Sequence, residues 1–393
     1  MAQAPEVQGE LISPYWDVVV VGAGPAGALA AHGLATRGLH VLLIEQRRFP
    51  RWKVCGACLS PQALAALESA GLANLVAAQG GLSLQQLQLG VAGLVSPIGL
   101  GAGGILSRSR LDQALLEAAE AAGATVLMGT RAVLGAAVTG LEPNREVLLQ
   151  KGTSRQSVRA KIVLIAAGLT HRAIDSEAEI STNIESHSRI GAGCLLPGEA
   201  AEIPLGVLQM AVGRRGYVGL VRIESGEINI ACAFDPSMLR CGGGAAVVCQ
   251  KLLAEAGFAP LPDLKEAAWQ LTAALSRQSI PLAGHRLLLI GDAAGYVEPF
   301  TGEGMGWAMT SSLAAIPLVL RGKEHWDDAI EKEWRQLHRR WVTRRQISCR
   351  VLAMILRHPE ISWGLHRLTG NFSSIASSMI GFMQRPALPS SRD

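Results

Sequence analysis

The sequence predicts an α/β fold in which a parallel sheet is interrupted by a block of antiparallel strands and followed by a helical C-terminal region. The first observation is a βαβ start, with a β-branched strand at Asp17–Val21, an Ala-rich helix stopped by Gly38, and a second strand at His40–Ile44. The second is a similar strand, glycine turn and helix within residues 286–320. The third is the run of short alternating segments within residues 184–234, which is typical of antiparallel strands.

Composition limits the class of protein. The chain has 393 residues, of which 49% are hydrophobic and 17% charged, enough for two modest domains with a large core and an apolar pocket. A net charge of +4 without clustering argues against a nucleic-acid partner. The 7 cysteines form no regular pattern, and the N-terminus lacks a basic-then-apolar signal, so we expect a reducing, cytoplasmic location. The scattered histidines predict no metal site.

The pattern divides the chain into four stretches. The opening βαβ segment and the later glycine turn predict two parts of one sheet, which the alternating block separates. The predicted stretches are the first part of a nucleotide-binding domain (15–184, with an excursion into the second domain near 75–106), a substrate-binding β-sheet domain (185–283), the second part of the first domain (284–324) and a helical C-terminal region (325–393).

Two segments raise the question of membrane contact. The uncharged run Gly304–Leu320 is short for a transmembrane span and contains Pro317, so a buried helix is the better interpretation. Trp326, Trp334 and Trp341 recur on nearly one helical face with arginines around them. We expect this face to pack inside the protein, and peripheral contact with a membrane stays open as the alternative.

The first glycine motif has the context of a dinucleotide site. Gly22, Gly24 and Gly27 follow a strand and open a helix, with Pro25 and Ala26 between the last two. In this arrangement the first glycine permits a tight turn, the second lets the backbone approach a pyrophosphate, and the third lets the helix pack closely on the strand. The segment therefore predicts dinucleotide binding by these five residues.

An acidic residue ends the second strand of the same unit. Glu45 would accept hydrogen bonds from ribose hydroxyls and repel a 2′-phosphate, which favours FAD or NAD over NADP. We expect Gln46 and Arg47, which follow it, to belong to the same site. A further copy of the glycine pattern, Gly99–Gly104, follows Pro97 rather than a clean strand, and we interpret it as a loop.

The later glycine segment decides between the two dinucleotides. FAD is longer than NAD, and its ribityl chain and ring need a second anchor. A carboxylate at the end of a returning strand suits the ribityl side, and a glycine-rich helix start offers free N–H groups to the electron-rich edge of a reduced flavin. The candidate residues of this segment are Gly291, Asp292, Pro299, Gly302, Gly304 and Met305.

Together these motifs resemble those of the flavoprotein group that contains geranylgeranyl reductases, hydroxylases of the p-hydroxybenzoate hydroxylase type and flavin-dependent halogenases. The resemblance covers about residues 15–325. It implies a Rossmann-like FAD-binding domain of the glutathione-reductase type with an inserted, mostly antiparallel β-sheet domain for the substrate. It also implies that Arg108, in the run Ser-Arg-Ser-Arg-Leu-Asp, lies near the FAD phosphates and ribityl chain, and it places Gly168 at the cofactor.

The segment Phe49–Cys58 indicates which branch of this group the chain resembles. Geranylgeranyl reductases carry a similar Pro-Arg … Lys-x-Cys-Gly run with the cysteine near the flavin, so Cys55 and Gly56 are the candidate catalytic residues. The spacing Cys55-x-x-Cys58 leaves open a redox-active pair. The reductases also carry Tyr-x-Trp-x-Phe-Pro, whereas this chain reads Tyr-Val-Gly-Leu-Val-Arg at residues 217–222.

The other branches fit less well. The hydroxylases carry an Asp-Gly motif where this chain has Ala167-Gly168, and the halogenase motif Trp-x-Trp-x-Ile-Pro is absent from the sequence. The resemblance therefore implies an FAD-dependent oxidoreductase that acts on an apolar prenyl, polyketide or quinone-like molecule, with NAD(P)H or a redox protein as electron donor. The alternatives are a monooxygenase that hydroxylates a phenolic substrate and a flavin-binding protein without turnover.

Overall fold

The structure is a computed structural model that describes residues 13–140, 143–170, 173, 180–298, 302–356 and 388–389. Its strands are, in chain order, β1 (Tyr15–Val21), β2 (Val41–Glu45), β3 (Cys58–Leu59), β4 (Leu82–Val91), β5 (Leu94–Ile105), β6 (Thr125–Met128), β7 (Arg131–Val138), β8 (Asn144–Lys151), β9 (Ser154–Ile165), β10 (Ser181–Ile184), β11 (Ile190–Leu196), β12 (Val207–Gly213), β13 (Gly216–Arg222), β14 (Ile228–Phe234), β15 (Gln270–Ala274), β16 (Arg277–Ile280), β17 (Ala283–Gly284), β18 (Leu287–Leu289) and β19 (Gly295–Tyr296). Its α-helices are α1 (Pro25–Ala35), α2 (Pro61–Ser69), α3 (Leu75–Ala78), α4 (Arg108–Ala121), α5 (Pro236–Cys241), α6 (Ala245–Ala256), α7 (Gly304–Glu324), α8 (Asp328–His338) and α9 (Arg344–Leu356).

The first sheet has the order β17-β18-β9-β1-β2-β6, and the β7–β8 hairpin extends β9. Strand β1 pairs in parallel with β2 and β9, and β9 pairs in parallel with β18. Helices cover one face of these central strands and the β7–β8 hairpin packs against the other, so residues on both faces are buried and continuous apolar runs predict the strands. Because their carboxyl ends meet at one edge, the turns that follow β1, β2, β9 and β18 lie side by side there.

Helices α1, α4 and α7 pack together over one face of this sheet. Small residues bring them close: a Cβ atom added to Gly33 of α1 would lie 2.5 Å from Cδ1 of Ile316 on α7. Helix α7 is largely buried, includes Pro317 and extends to Glu324, so the interpretation of this run as a buried helix is correct. No helix among the described residues is both long enough and apolar enough to cross a bilayer.

The second sheet has the order β15-β11-β14-β13-β12-β4-β5-β3. Its pairs are antiparallel except for the parallel pair of β4 and β12. The prediction of a loop at Gly99–Gly104 is wrong, because these residues lie in β5. The hairpin with β4, in which Val91 pairs with Leu94, supplies backbone hydrogen bonds that the glycine-rich sequence alone does not indicate.

The C-terminal region is helical from residue 328 to residue 356. Trp334 is fully buried, and Trp326 and Trp341 pack partly buried against the same core as α7. Helices α8 and α9 are separated by one π-helical turn, Arg339–Thr343. The remainder of the predicted helical region, residues 357–387 and 390–393, lies outside the described residues.

Candidate active site

Two adjoining cavities lie along the carboxyl edge of the first sheet and share Gly24, Lys53 and Gly168 in their walls. Of the predicted residues, the outer cavity is lined by Gly22, Gly24, Glu45, Gln46, Arg47 and Gly168. The inner cavity is lined by Gly24, Pro25, Ala26, Cys55, Gly56, Arg108, Gly168, Asp292, Gly302, Gly304 and Met305. Pro299 lies outside the described residues.

The first glycine turn admits no side chain at two of its positions. Gly22 has φ +103°, and a Cβ atom there would lie 2.5 Å from the carbonyl oxygen of Ala166. A Cβ atom on Gly27 would lie 1.8 Å from the carbonyl oxygen of Gly22. Gly24 is the N-cap of α1, so the free N–H groups of this helix start beside both cavities. The turn is thus a backbone cradle for an anion.

Glu45 is held in place at the end of β2. Its Oε2 accepts a hydrogen bond from the backbone N–H of Ala23 at 3.1 Å, and its Oε1 accepts one from that of Arg47 at 2.9 Å. The side chain is buried while Gln46 and the side chain of Arg47 are exposed. The carboxylate therefore faces the outer cavity in a fixed orientation suited to vicinal hydroxyls.

Arg108 belongs to a buried charge network. Its guanidinium donates to both carboxylate oxygens of Asp112, at 2.7 and 2.8 Å. Arg51 lies 3.6 Å from Asp112 and 3.8 Å from Glu45, so it links Glu45 of the outer cavity to the buried Asp112. Sequence reasoning missed Arg51 and Asp112 as site residues, although the i,i+4 spacing of Arg108 and Asp112 on a helix was a signal for their pairing.

Lys53 and Asp292 both line the inner cavity, and Lys53 also lines the outer one. An added Cβ atom on Gly168 would lie 3.5 Å from Nζ of Lys53, a residue that sequence reasoning did not assign to the site. Burial raises the pKa of Asp292, and the charges of Lys53 and Arg108 oppose this shift. Burial likewise lowers the pKa of Lys53. These residues can hold both a hydroxyl-rich chain and a phosphate.

The turn that carries Asp292 packs tightly against the first helix. Gly291 has φ +59°, and a Cβ atom on it would lie 2.7 Å from Cβ of Ala26. Its backbone N–H donates to Oγ of Ser311 on α7 at 2.8 Å. Gly27 and Gly291 thus act from behind the cavity wall by letting α1, α7 and the two turns approach each other.

The start of α7 faces the inner cavity. Gly302 has φ +72°, and an added Cβ atom on it would lie 3.5 Å from Cβ of Cys58. Gly304 and Met305 form the first turn of the helix and line the cavity. The free N–H groups of this turn can stabilise negative charge on a ligand.

The two cysteines near the cavity differ. Cys55 is half-buried in the inner wall, and its carbonyl oxygen accepts a hydrogen bond from Nδ2 of Asn229 at 2.8 Å, which ties this loop to the second sheet. Burial raises the pKa of Cys58 to about 12. Because a thiolate is the reactive form, this shift disfavours redox chemistry at Cys58. Both thiols are free.

Glu303 is a buried acid beside this helix start that sequence reasoning did not single out. Its Oε2 accepts a hydrogen bond from Nε1 of Trp307 at 3.1 Å. Its Oε1 is buried without a hydrogen-bond partner among the described residues. Burial raises the pKa of Glu303 to about 7, although the charge of Arg345 opposes the shift.

We expect Glu303→Gln to change how stability depends on pH. Because the folded pKa of about 7 exceeds the ordinary value of 4.5, this carboxyl favours folding below pH 4.5 and loses that contribution as pH rises through 7. Relative to the variant, the wild-type protein should therefore lose up to about 3 kcal/mol of unfolding free energy between pH 5 and pH 8. Urea unfolding at both pH values measures this difference. Parallel pH profiles for the two proteins would contradict the prediction.

A family model described as an FAD binding domain matches residues 15–194. Menaquinone reductase of Mycobacterium tuberculosis is 30% identical over 346 residues, which cover 77% of this chain and 76% of that protein. Digeranylgeranylglycerophospholipid reductase 1 of Methanococcoides burtonii is 28% identical over 339 residues, which cover 83% of this chain and 79% of that protein.

Solved structures show the same fold at low identity. The flavin-dependent brominase Bmp2 superposes with a TM-score of 0.74 at 19% identity, covering 93% of each chain. The p-nitrophenol 4-monooxygenase PnpA of Pseudomonas putida superposes with a TM-score of 0.74 at 13% identity, covering 95% of this chain and 98% of that one. The chain is an FAD-dependent oxidoreductase and belongs to the flavoprotein family that includes menaquinone reductase and digeranylgeranylglycerophospholipid reductase.

Proposed function

We propose that this protein reduces an apolar molecule that carries a prenyl chain, with a prenylated quinone as the leading substrate class. The lining of the inner cavity carries the proposal. One side of this cavity consists of charged residues and glycines, and the other side is an apolar face of the second sheet. The apolar side includes Leu208, Met210, Ala231 and Leu275. The names of the two relatives support it, since menaquinone and digeranylgeranylglycerophospholipid both carry prenyl chains.

We infer that the two cavities together bind an extended FAD and that the domain is of the glutathione-reductase type. In the proposed arrangement the turn from Gly22 to Gly27, with Pro25 and Ala26, binds the pyrophosphate where no side chain obstructs it. The proposed partners of the adenosine are Glu45, Gln46 and Arg47; those of the phosphates and ribityl chain are Arg108, Gly168, Gly291 and Asp292; and those of the ring are Pro299, Gly302, Gly304 and Met305.

When bound, the flavin supplies two electrons as a hydride, and the accompanying proton comes from a protein group or water. The N-terminus of α7 would stabilise the negative charge of the reduced cofactor. Cys55 and Gly56 also line this cavity, and the thiol would position the substrate or pass a proton. The apolar sheet face would exclude water from the reacting carbon atoms. NAD(P)H or a redox protein would restore the reduced flavin.

Three further predictions accompany this proposal. The division into residues 15–184, 185–283, 284–324 and 325–393 remains a prediction, and so does a cytoplasmic location. A prenylated quinone resides in a bilayer, so we infer that the protein contacts a membrane surface peripherally to reach it. The exposed apolar side chains of Ile347 and Val351 on α9 support this contact.

Asp292→Ala should weaken FAD binding about 10- to 100-fold, because the ribityl chain would lose a charged hydrogen-bond partner. Equilibrium dialysis of the apoprotein against FAD measures the dissociation constant. Asp263→Ala is the matched control, since Asp263 is exposed and lies outside the walls of both cavities. An unchanged dissociation constant for the Asp292 variant would remove this residue from the site.

The second candidate is a monooxygenase that hydroxylates an aromatic substrate, and the likeness to the fold of PnpA favours it. A flavin monooxygenase needs dioxygen for each turnover, whereas a reductase does not. The test is anaerobic reduction of the holoprotein with NADH, NADPH or dithionite, followed by candidate substrates or dioxygen. Flavin reoxidation by a prenylated quinone without dioxygen supports the reductase, and reoxidation by dioxygen alone supports the monooxygenase.

A further inference from the structure

The strand register shows which residues lie in one row across the second sheet, and of these Met210, Gly219 and Ala231 line the inner cavity. Met210 on β12 pairs with Gly219 on β13, Gly219 pairs with Ala231 on β14, and Ala231 pairs with Gly193 on β11. Directly paired residues point to the same face of a sheet. The paired residues Gly219, Ala231 and Gly193 therefore form a row across β13, β14 and β11. No side chain in this row is larger than a methyl group.

Larger side chains border this row along β13. Tyr217 and Val221 lie two residues before and after Gly219, so they point to the same face. Both are buried, and they pack in one hydrophobic cluster with Met210. Four residues of extended strand span roughly 13 Å, and the missing side chain of Gly219 leaves a depression in this face between Tyr217, which lines the cavity, and Val221.

The two glycines of the row face different surroundings. A Cβ atom on Gly193 would lie 3.2 Å from Cη2 of Trp52 and 3.3 Å from Cγ1 of Val54, so the loop already fills the space above this glycine. The nearest atoms to a Cβ atom on Gly219 belong to the wall itself. They are the carbonyl oxygen of Ala231 at 3.5 Å and side-chain carbons of Leu208 and Met210 at 3.8 Å. The space above Gly219 therefore belongs to the cavity.

We propose that Gly219 is the residue that determines which head group the cavity accepts, and that its missing side chain makes room for a planar fused two-ring quinone. This inference rests on the proposed function and names the substrate class of the same site. The geranylgeranyl reductase motif has a tryptophan at the corresponding position, and such a side chain would fill the depression. A flat ring on Gly219 would contact Met210 and Ala231 on either side, in the cavity that the glycine-rich start of α7 also lines.

The test compares two quinones that differ in the number of fused rings but carry the same methyl and carbonyl groups. The holoprotein and its Gly219→Ala and Gly219→Leu variants are titrated with 2-methyl-1,4-naphthoquinone and with 2-methyl-1,4-benzoquinone, and flavin absorbance reports binding. Gly219→Leu should raise the dissociation constant of the two-ring quinone about 10- to 100-fold and that of the one-ring quinone less than about threefold. Gly219→Ala should lie between wild type and Gly219→Leu. Equal effects on both quinones, or none, would overturn the proposal.

Gly99→Leu is the matched control, because Gly99 also lies in a strand, is exposed, and has no atom within 4 Å of an added Cβ. Flavin content and the unfolding midpoint show whether each variant is folded. A different outcome would contradict the proposed function: the wild-type protein binds the two-ring quinone but does not reduce a prenylated form of it. Wild-type protein that binds the one-ring quinone as tightly as the two-ring quinone would contradict a role for Gly219 in ring selection.

Discussion

Arg108→Met should destabilise the protein by about 3–5 kcal/mol and abolish stable FAD binding. The substitution leaves the carboxylate of Asp112, which is 0% exposed, without the two hydrogen bonds that Arg108 donates at 2.7 and 2.8 Å. Breaking a buried ion pair by removing one partner carries a cost of this size. Arg51 keeps its ion pair with Asp112 at 3.6 Å but donates no hydrogen bond to the carboxylate at that distance. Urea unfolding and the flavin-to-protein absorbance ratio measure the two effects.

The double variant Arg108→Met with Asp112→Leu separates stability from cofactor binding. Removing both charges of a buried pair is much less costly than removing one, so we expect most of the unfolding free energy to return. FAD binding should remain lost if Arg108 serves the phosphates directly. Recovery of FAD binding in the double variant would show that Arg108 only neutralises Asp112, and a stable single variant would contradict the network.

Gly22→Ala should also prevent FAD binding and should cost at least about 3 kcal/mol of unfolding free energy. The added Cβ atom would lie 2.5 Å from the carbonyl oxygen of Ala166, at a residue with φ +103°. Gly38→Ala is the matched control, because Gly38 has φ +78° but no atom within 4 Å of an added Cβ. That variant should lose only about 1–2 kcal/mol, the cost of the left-handed backbone alone. Equal losses in the two variants would contradict the steric account of the glycine turn.

The parallel sheet and its glycine turns could be predicted because each depends on local sequence. Continuous apolar runs such as Val18–Val21 indicate strands buried on both faces, and glycines directly after them indicate turns at the carboxyl edge. The position of Glu45 follows from the same unit. The glycine-rich strand β5 was missed because its residues have low strand propensity and depend on hydrogen bonds with β4.

The rest of the site depends on contacts between distant segments. Arg51 and Lys53 reach the cavities from an irregular loop, so no periodicity indicates their direction. Gly219 looks like an ordinary strand glycine until the register places it beside Met210 and Ala231. The high pKa of Cys58 likewise follows from burial that the spacing Cys55-x-x-Cys58 does not reveal.

If this FAD enzyme reduces a prenylated apolar substrate, its reduced flavin must transfer two electrons to that substrate in the absence of dioxygen. The most direct measurement reduces the holoprotein with dithionite under dioxygen-free conditions, removes the excess, and adds menaquinone with a short prenyl chain in detergent. We expect the flavin to be reoxidised without dioxygen, and mass spectrometry to find one product molecule with two added hydrogen atoms for each flavin. Flavin that stays reduced until dioxygen is admitted, with a product that has gained an oxygen atom, would contradict this prediction.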